Sequence, residues 1–465
     1  MTQRRWRVSL IVLSGVFMSS LDLFIVNIAF PAISRHFHGA SLGSLSWILS
    51  GYAIVFAALL VPAGRWADAF GRKRAFLTGL AVFTLASAAC ALAPSVAALV
   101  AARLVQAVGG ALMLPTSLAL ILPEFEAERR HVPIALWAAT GGIAAAAGPP
   151  LGGLLVQADW RWVFLVNVPV GVTALALGLR SLTERREEGA VPRPDVLAAA
   201  LLIVAVGALV VAIVKGEEWG WASPLVLALC VGSLLLFPVI WWRSKRHPAP
   251  LVDPALLKIP RFALAVAASV LFFAGFGAFL LTGVLFLTDI WHEPVLSAGL
   301  MLFPGPAAAT AMTFPSARIG ARLGYRLPGM LGVTLFIVGI GSYLFRIGVS
   351  PAYFSEFLPA QLVTGAGVGF VIPTLTGAGV SALAPDRFAT GAALLTMGRQ
   401  IGIALGIALL VAVLGTGPRT LADFQSAWLL TIGFAASAGA VFAAIGARTV
   451  APRAALPAIA DGGAA

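Results

Sequence analysis

The sequence predicts an all-α integral membrane protein of fourteen spanning helices, built as two six-helix bundles with two extra helices between them. Three observations lead there. Of 465 residues, 60% are hydrophobic and only 11% charged, against about 25% charged in an ordinary soluble domain. A soluble fold of this size would lack a polar skin. Apolar runs of about 20 residues recur from end to end, each long enough to cross roughly 30 Å of hydrocarbon. Finally, part of the fourth run is echoed in the twelfth.

The first run follows a basic start, "MTQRRWRVSLIVLSG". That is the look of a signal peptide, but the apolar stretch continues well past the usual length, so it reads as an uncleaved helix 1, residues 8–33. Helices 2 to 6 follow at 43–65, 75–94, 97–121, 132–157 and 162–180. Helices 7 and 8, at 195–215 and 224–242, form the central pair. Helices 9 to 14 fall at 262–288, 298–317, 328–347, 355–380, 390–415 and 425–447. Domain limits at 1–187, 188–250 and 251–450 follow, with 451–465 as a disordered cytoplasmic tail.

Loops after even-numbered helices are basic: "RWADAFGRKR", "EAERRH", "RSLTERREE", "WWRSKRH", "ARIGARLGYR" and "PDR". Loops after odd-numbered helices, such as "LAPSV" and "SPAY", are poor in Lys and Arg. The bias places both termini in the cytoplasm, in a multi-pass cytoplasmic (inner) membrane protein. It also accounts for the net charge of +12 without nucleic acid, because the basic residues are dispersed among the loops.

"RLVQAVGGALMLPT" (Arg103 to Thr116) aligns without gaps on "QLVTGAGVGFVIPT" (Gln361 to Thr374), and the same offset brings Arg129 onto Arg387 and Gly148 onto Gly406. Parallel halves with a site between them at the bilayer midplane are the plan of many secondary transporters.

Other classes lack their chemistry. No GxxxxGK[ST] stands among the four lysines, and the five histidines lie in or beside loops with no HExxH helix, which speaks against nucleotide hydrolysis and metalloprotease activity. No Ser/His or Ser/Lys dyad lies in a span, so no enzyme is expected, and no metal or cofactor is implied. A channel would need a filter-like loop or ring of charges. A membrane sensor would need a signalling domain, and the polar segments are too short to fold alone. An ion gradient remains: one proton moving down roughly 150 mV delivers about 3.5 kcal/mol, a gradient of a few hundredfold.

Five stretches resemble the 14-helix drug:proton antiporter family of the major facilitator superfamily, whose members are multidrug efflux transporters. "LDLFIVNIAFPAI" (Leu21 to Ile33) resembles its first-helix signature. "GRWADAFGRKR" (Gly64 to Arg74) resembles its cytoplasmic loop motif, and "RLVQAVGG" (Arg103 to Gly110) its fourth-helix motif, with Ala107 where glycine is usual. "GGIAAAAGPPLGG" (Gly141 to Gly153) resembles the fifth-helix antiporter motif, and "WRWVFLVNVPVG" (Trp160 to Gly171) the start of helix 6. The resemblance implies the major facilitator fold, alternating access, and export of drugs, antibiotics or a secondary metabolite in exchange for protons. A proton symporter importing a small metabolite is the alternative, and the motif ending Gly148, Pro149, Gly152 and Gly153 argues against it. The implied partners are an amphipathic substrate, protons and the lipid bilayer, with the chain working as a monomer; a periplasmic adaptor enters only for a Gram-negative host.

Each motif also has a physical reading. Asp22 is the single charge in an otherwise apolar helix 1, where a charged side chain costs a few kcal/mol or more. At ~1.5 Å per residue, Asp22 lies roughly 15 Å and Arg103 about 10 Å below the outer surface, so the two can meet. Burial favours a protonated carboxyl and a nearby cation the ionised one, so motion of Arg103 would switch a proton on or off; a static packing pair is the other reading. Asp68 sits in the loop motif with Arg72, and a carboxylate there can bind the N-terminal end of an opposing helix, such as helix 13 near Ala389. The resemblance makes this a gate latch. Gly64 and Gly71 stand where the backbone must turn or approach a neighbour. The corresponding second-half loop has Ala321 in place of the aspartate, so only one half should latch. Small residues and Pro149–Pro150 in helix 5 read either as simple packing or as a stiff, kinked hinge that prevents leakage.

Asn27, Trp47, Tyr52, Gln106, Trp137, Phe276, Gln361 and Gln400 are candidate walls of an amphipathic pocket, although such aromatics are more often core or lipid-facing. Arg399, about 13 Å from the cytoplasmic end of helix 13, either snorkels or meets an anionic part of the substrate. Helices 9–14 carry no acid at depth, and "FLT" (Phe286 to Thr288) stands where family members commonly have YLQ. Both features favour neutral, zwitterionic or anionic compounds over quaternary ammonium ions.

Overall fold

The computed structural model describes residues 2–126, 129, 131–186, 192–384, 387–415 and 417–445. Its fourteen spanning helices are Gln3–His36, Leu42–Phe70, Arg72–Ala91, Val96–Glu124, Val132–Ala158, Trp162–Ser181, Val196–Trp219, Pro224–Ser244, Pro260–Asp289, Val295–Leu323, Arg326–Arg346, Tyr353–Val380, Phe388–Leu414 and Leu421–Ala444, numbered 1 to 14 in that order. All are long and apolar enough to cross a membrane. In hydrocarbon each backbone polar group needs an internal partner, which a helix supplies within its own segment. The first domain limit, 187/188, and the tail 451–465 lie outside the described residues.

Helix starts are set by local chemistry. The Ser41, Ser95 and Ser223 hydroxyls accept hydrogen bonds from the free amides of helices 2, 4 and 8, and Asp195 does the same for helix 7. Each satisfies a donor that the first turn leaves open. Thr420 and Asp423 form a reciprocal capping box at helix 14.

Several helices run further than the hydropathy alone marks. "GRWADAFGRKR" is almost wholly helical: helix 2 ends at Phe70, helix 3 starts at Arg72, and Gly71 alone lies between them with φ 117°. "ARIGARL" continues helix 10 to Leu323. Polar and basic residues lower the mean hydropathy there without breaking the helix, since Arg and Lys are good helix formers.

Two six-helix bundles are built alike. Helix 4 packs on helices 2 and 3, and helix 1 on helix 5; in the second bundle helix 12 packs on 10 and 11, and helix 9 on 13. The repeat is visible atom by atom. A Cβ on Gly109 would fall 2.5 Å from the Phe83 amide nitrogen and 2.7 Å from the Gly79 carbonyl oxygen. A Cβ on Gly367 would fall 2.6 Å from the Phe336 nitrogen and 2.7 Å from the Gly332 oxygen. Only glycine allows so close a crossing, and Gly109 and Gly367 are equivalent under the offset read from the sequence.

The bundles meet along two seams, helix 2 against helix 13 and helix 5 against helix 10. Helix 7 covers the first seam by packing on both helices 2 and 13, and helix 8 packs on helix 7. Arg243 at the end of helix 8 donates to Asp195 at the start of helix 7 over 2.7 Å, tying the central pair together.

Candidate functional site

Asp22 and Arg103 meet at the centre of the first bundle. Arg103 Nη1 donates to Asp22 Oδ2 over 2.5 Å and to Gln106 Oε1 over 2.6 Å, while its Nε donates to the Ile48 carbonyl over 3.1 Å. Gln106 Nε2 donates to Asp22 Oδ1 over 3.0 Å and to Ser87 Oγ over 2.7 Å. Asn167 Nδ2 donates to the same hydroxyl over 3.2 Å. The Tyr52 ring lies 4.3 Å from the guanidinium carbon and that of Phe164 5.8 Å.

Five helices (1, 2, 3, 4 and 6) contribute to this network, and its ion pair is sealed: Asp22 is 0% and Arg103 1% exposed. Both carboxylate oxygens accept a hydrogen bond, the one from Arg103 being charge-assisted. Removing one partner of such a pair costs about 3–5 kcal/mol, because the other charge is left buried and unpaired. The pair is therefore stable only as a pair. Ser87, Asn167 and Cys90 are members that the sequence reading did not single out; Cys90 Sγ lies 3.7 Å from Gln106 Oε1. Asn167 stood inside the helix 6 motif, where a lone amide among apolar residues was the available signal.

The basic loop motif is arranged differently from expectation. Asp68 accepts from Arg72 Nε over 3.1 Å and from its Nη2 over 3.0 Å, one turn further on, rather than from the start of helix 13 near Ala389. A partner four residues away on the following helix satisfies the carboxylate locally. Gly71 does make the tight approach: a Cβ there would lie 2.5 Å from the Glu184 carboxylate. Glu184 accepts from the backbone amides of Lys73 over 3.0 Å and Arg74 over 3.2 Å, capping helix 3 from the segment that follows helix 6. Gly64 does not, since Pro115 stands at an ordinary 3.6 Å.

Helix 5 is packed through its small residues. A Cβ on Gly148 would lie 2.5 Å from Phe24 Cβ, one on Gly152 3.1 Å from Ile25 and Ile28 side-chain carbons, and one on Gly153 2.8 Å from Leu296 Cα. Across the seam, a Cβ on Gly299 would lie 2.3 Å from the Pro149 carbonyl oxygen. Pro149 and Pro150 sit inside an unbroken helix. This half of the seam, away from the chain termini, is closed backbone to backbone. Toward the end bearing the termini, Ile134 on helix 5 and Phe314 on helix 10 are exposed.

The candidate pocket walls do not form one surface. Tyr52 and Gln106 belong to the buried network. Gln361 is buried in the second bundle, where its amide oxygen accepts from the Tyr343 hydroxyl and its nitrogen donates to the Leu302 carbonyl over 3.1 Å. These three are filled by protein contacts and cannot wall a pocket in this conformation. Trp47 packs against the cluster that helices 2, 7, 9 and 13 share, next to Gly207 of helix 7. Trp137 donates to Ser117 over 2.9 Å, Asn27 to the Leu23 carbonyl over 2.7 Å, and Phe276 stacks on Phe272. Gln400 is buried on helix 13, beside the partly buried Arg399.

The Major Facilitator Superfamily profile matches residues 12–407. The chain belongs to that superfamily. Multidrug resistance protein Stp of Mycobacterium tuberculosis (strain CDC 1551 / Oshkosh) is 35% identical over 403 residues, covering 86% of this chain and 74% of that protein. The methylenomycin A resistance protein of Bacillus subtilis (strain 168) is 32% identical, covering 92% and 90%. The tetracenomycin C resistance and export protein of Streptomyces glaucescens is also 32% identical, covering 88% and 75%. Among solved structures, the peptide transporter POT in complex with sulfate superposes with a TM-score of 0.67 at 16% identity, covering 94% of each chain. The human organic anion transporter MFSD10 (TETRAN) does so with 0.63 at 17%, covering 94% of this chain and 99% of the other. At such identities the likeness is one of fold. The superfamily consists of transporters rather than enzymes, and the chain is a multi-pass membrane protein of fourteen spans, a transporter for small compounds.

Proposed function

We propose that this superfamily member is a proton-coupled antiporter that exports small amphipathic compounds (drugs, antibiotics or a secondary metabolite) by alternating access. The observation that carries this reading is the sealed Asp22–Arg103–Gln106 network. An ionised carboxylate held by an arginine takes up no proton; once Arg103 is drawn to another partner, the desolvated Asp22 becomes the better base and is protonated. In this cycle substrate binds while Arg103 holds Asp22 and leaves once Arg103 has turned away and Asp22 is protonated, so substrate and proton exclude each other, as antiport requires. Relatives named for drug resistance and export support the outward direction.

The chain sits in the cytoplasmic membrane with both termini inside, following the basic loops, and works as a monomer. The close helix 5–helix 10 seam then seals the outer side. Gly71, Arg72, Asp68 and Glu184 hold the cytoplasmic ends of helices 2 and 3 together, and release of that clamp accompanies the switch to the outward-facing state.

Purified protein in liposomes with an internal pH dye tests the reading, with cationic, neutral and anionic amphiphiles applied outside. Substrate-dependent proton movement is expected from wild type and lost in Asp22→Asn, with substrate binding retained. Proton movement that persists in Asp22→Asn would remove the carrier role and leave Asp22 as a structural partner of Arg103.

A further inference from the structure

The two arginines held within spans have opposite surroundings. Arg103 is fully partnered and sealed. Arg399, about 16 Å along helix 13 from Phe388 at ~1.5 Å per residue, has no carboxylate partner among the described residues. Its Nη2 lies 3.4 Å from the Thr376 hydroxyl, and its Nε is buried without a hydrogen-bond partner. Its guanidinium carbon lies 4.8 Å from the centre of the Phe273 ring. The residue as a whole is only partly buried. The equivalent position in helix 5 is Gly141, so the repeat itself does not call for a cation there.

An under-partnered guanidinium at this depth is costly, and an aromatic face offsets only part of that cost. We infer that Arg399 receives the anionic group of the substrate, a carboxylate or sulfonate on an apolar aromatic body, with the Thr376 hydroxyl, itself bonded to the Ile372 carbonyl, steadying the guanidinium and Phe276, backed by the buried Phe273, as the apolar wall. The planar guanidinium fork suits such a group. The second bundle has no acid in the interior of its spans; Asp289, at the end of helix 9, is paired with Arg419. Nothing there competes with an anion or attracts a cation, and a cationic substrate would meet like charge. The substrate would approach from the end bearing the termini, since Thr376 lies four residues from the end of helix 12. The inference rests on the export reading for its direction, not for its binding site.

Fluorescein and rhodamine 123 share one tricyclic scaffold and carry opposite charge. Their binding to full-length protein in lipid nanodiscs, read by fluorescence anisotropy, tests the site. Wild type is expected to prefer fluorescein, and Arg399→Ala to weaken fluorescein roughly thirtyfold or more, as loss of one partner of a desolvated charge pair does. Rhodamine 123 binding should be unchanged or improved. Arg399→Lys, which keeps the charge but not the fork, should fall between. Equal weakening of both dyes, unchanged fluorescein affinity in Arg399→Ala, or no binding of fluorescein to wild type would each overturn the inference. Dye transport into everted vesicles separates the two readings. Selective binding without transport counts against export alone, whereas transport that ignores Arg399→Ala counts against the anion site alone.

Discussion

The two bundles share a backbone plan and differ in what fills it. Where helix 4 places Arg103 and Gln106, helix 12 places Gln361 and Thr364. The first bundle builds an ion pair with four polar neighbours. The second surrounds Gln361 with rings: Tyr343 stacks on Trp428 with centroids 5.8 Å apart, and Phe357 and Phe286 close the cluster. The glycine crossings are nonetheless the same to about a tenth of an ångström. Packing therefore does not demand the charges. A neutral, aromatic core serves the same architecture in the second bundle, so the backbone plan by itself does not call for the Asp22–Arg103 pair.

The comparison can be broken most sharply at its charges. Arg103→Gln gives the first bundle the residue found in the second. It should cost about 3–5 kcal/mol, because Asp22 is left buried without its cation, and should abolish proton-linked transport. Thermal unfolding in detergent and dye-loaded liposomes read the two effects. Combining it with Asp22→Asn should restore much of the stability, the pair being neutral again, while transport stays lost. Recovery of both would mean that the pair only holds helices together.

Gln361→Leu is the matching change in the second bundle. It strands the Tyr343 hydroxyl at a cost of about 1–3 kcal/mol, yet proton coupling should survive. Loss of coupling there would make the halves equal partners in proton transfer.

Next in size come the crossings. Gly109→Ala and Gly367→Ala each push a methyl group into backbone atoms, for about 1–3 kcal/mol, and the two should lower the melting temperature alike. A large difference would show that the repeat is one of outline only. Smallest is Glu184→Ala, which removes the cap of helix 3 at about 1 kcal/mol; limited proteolysis should then cut more readily between helices 6 and 7.

The sequence carried most of this. Spans follow from hydropathy, which is local, and the Asp22–Arg103 contact from depth, which needs only rise per residue. Rotation about each helix axis was not legible. Depth without direction makes Gln106 and Tyr52 read as pocket walls, whereas both turn into the buried network; Ser87 and Cys90 join that network with no motif of their own to mark them. For Asp68 the sequence offers the start of an opposing helix as a partner; with helix 2 running to Phe70 and helix 3 restarting at Arg72, the nearest cation is one turn away. Glu184 lay in a basic loop that read only as orientation.

The central claim is that Asp22 gains a proton when Arg103 leaves it. Infrared difference spectra of the protein in lipid, recorded on adding substrate, report the protonated carboxyl band directly. The account predicts a change in that band in wild type that is absent in Asp22→Asn and still present in Asp289→Asn. A band change that survives Asp22→Asn, or no change in wild type while transport proceeds, would contradict it.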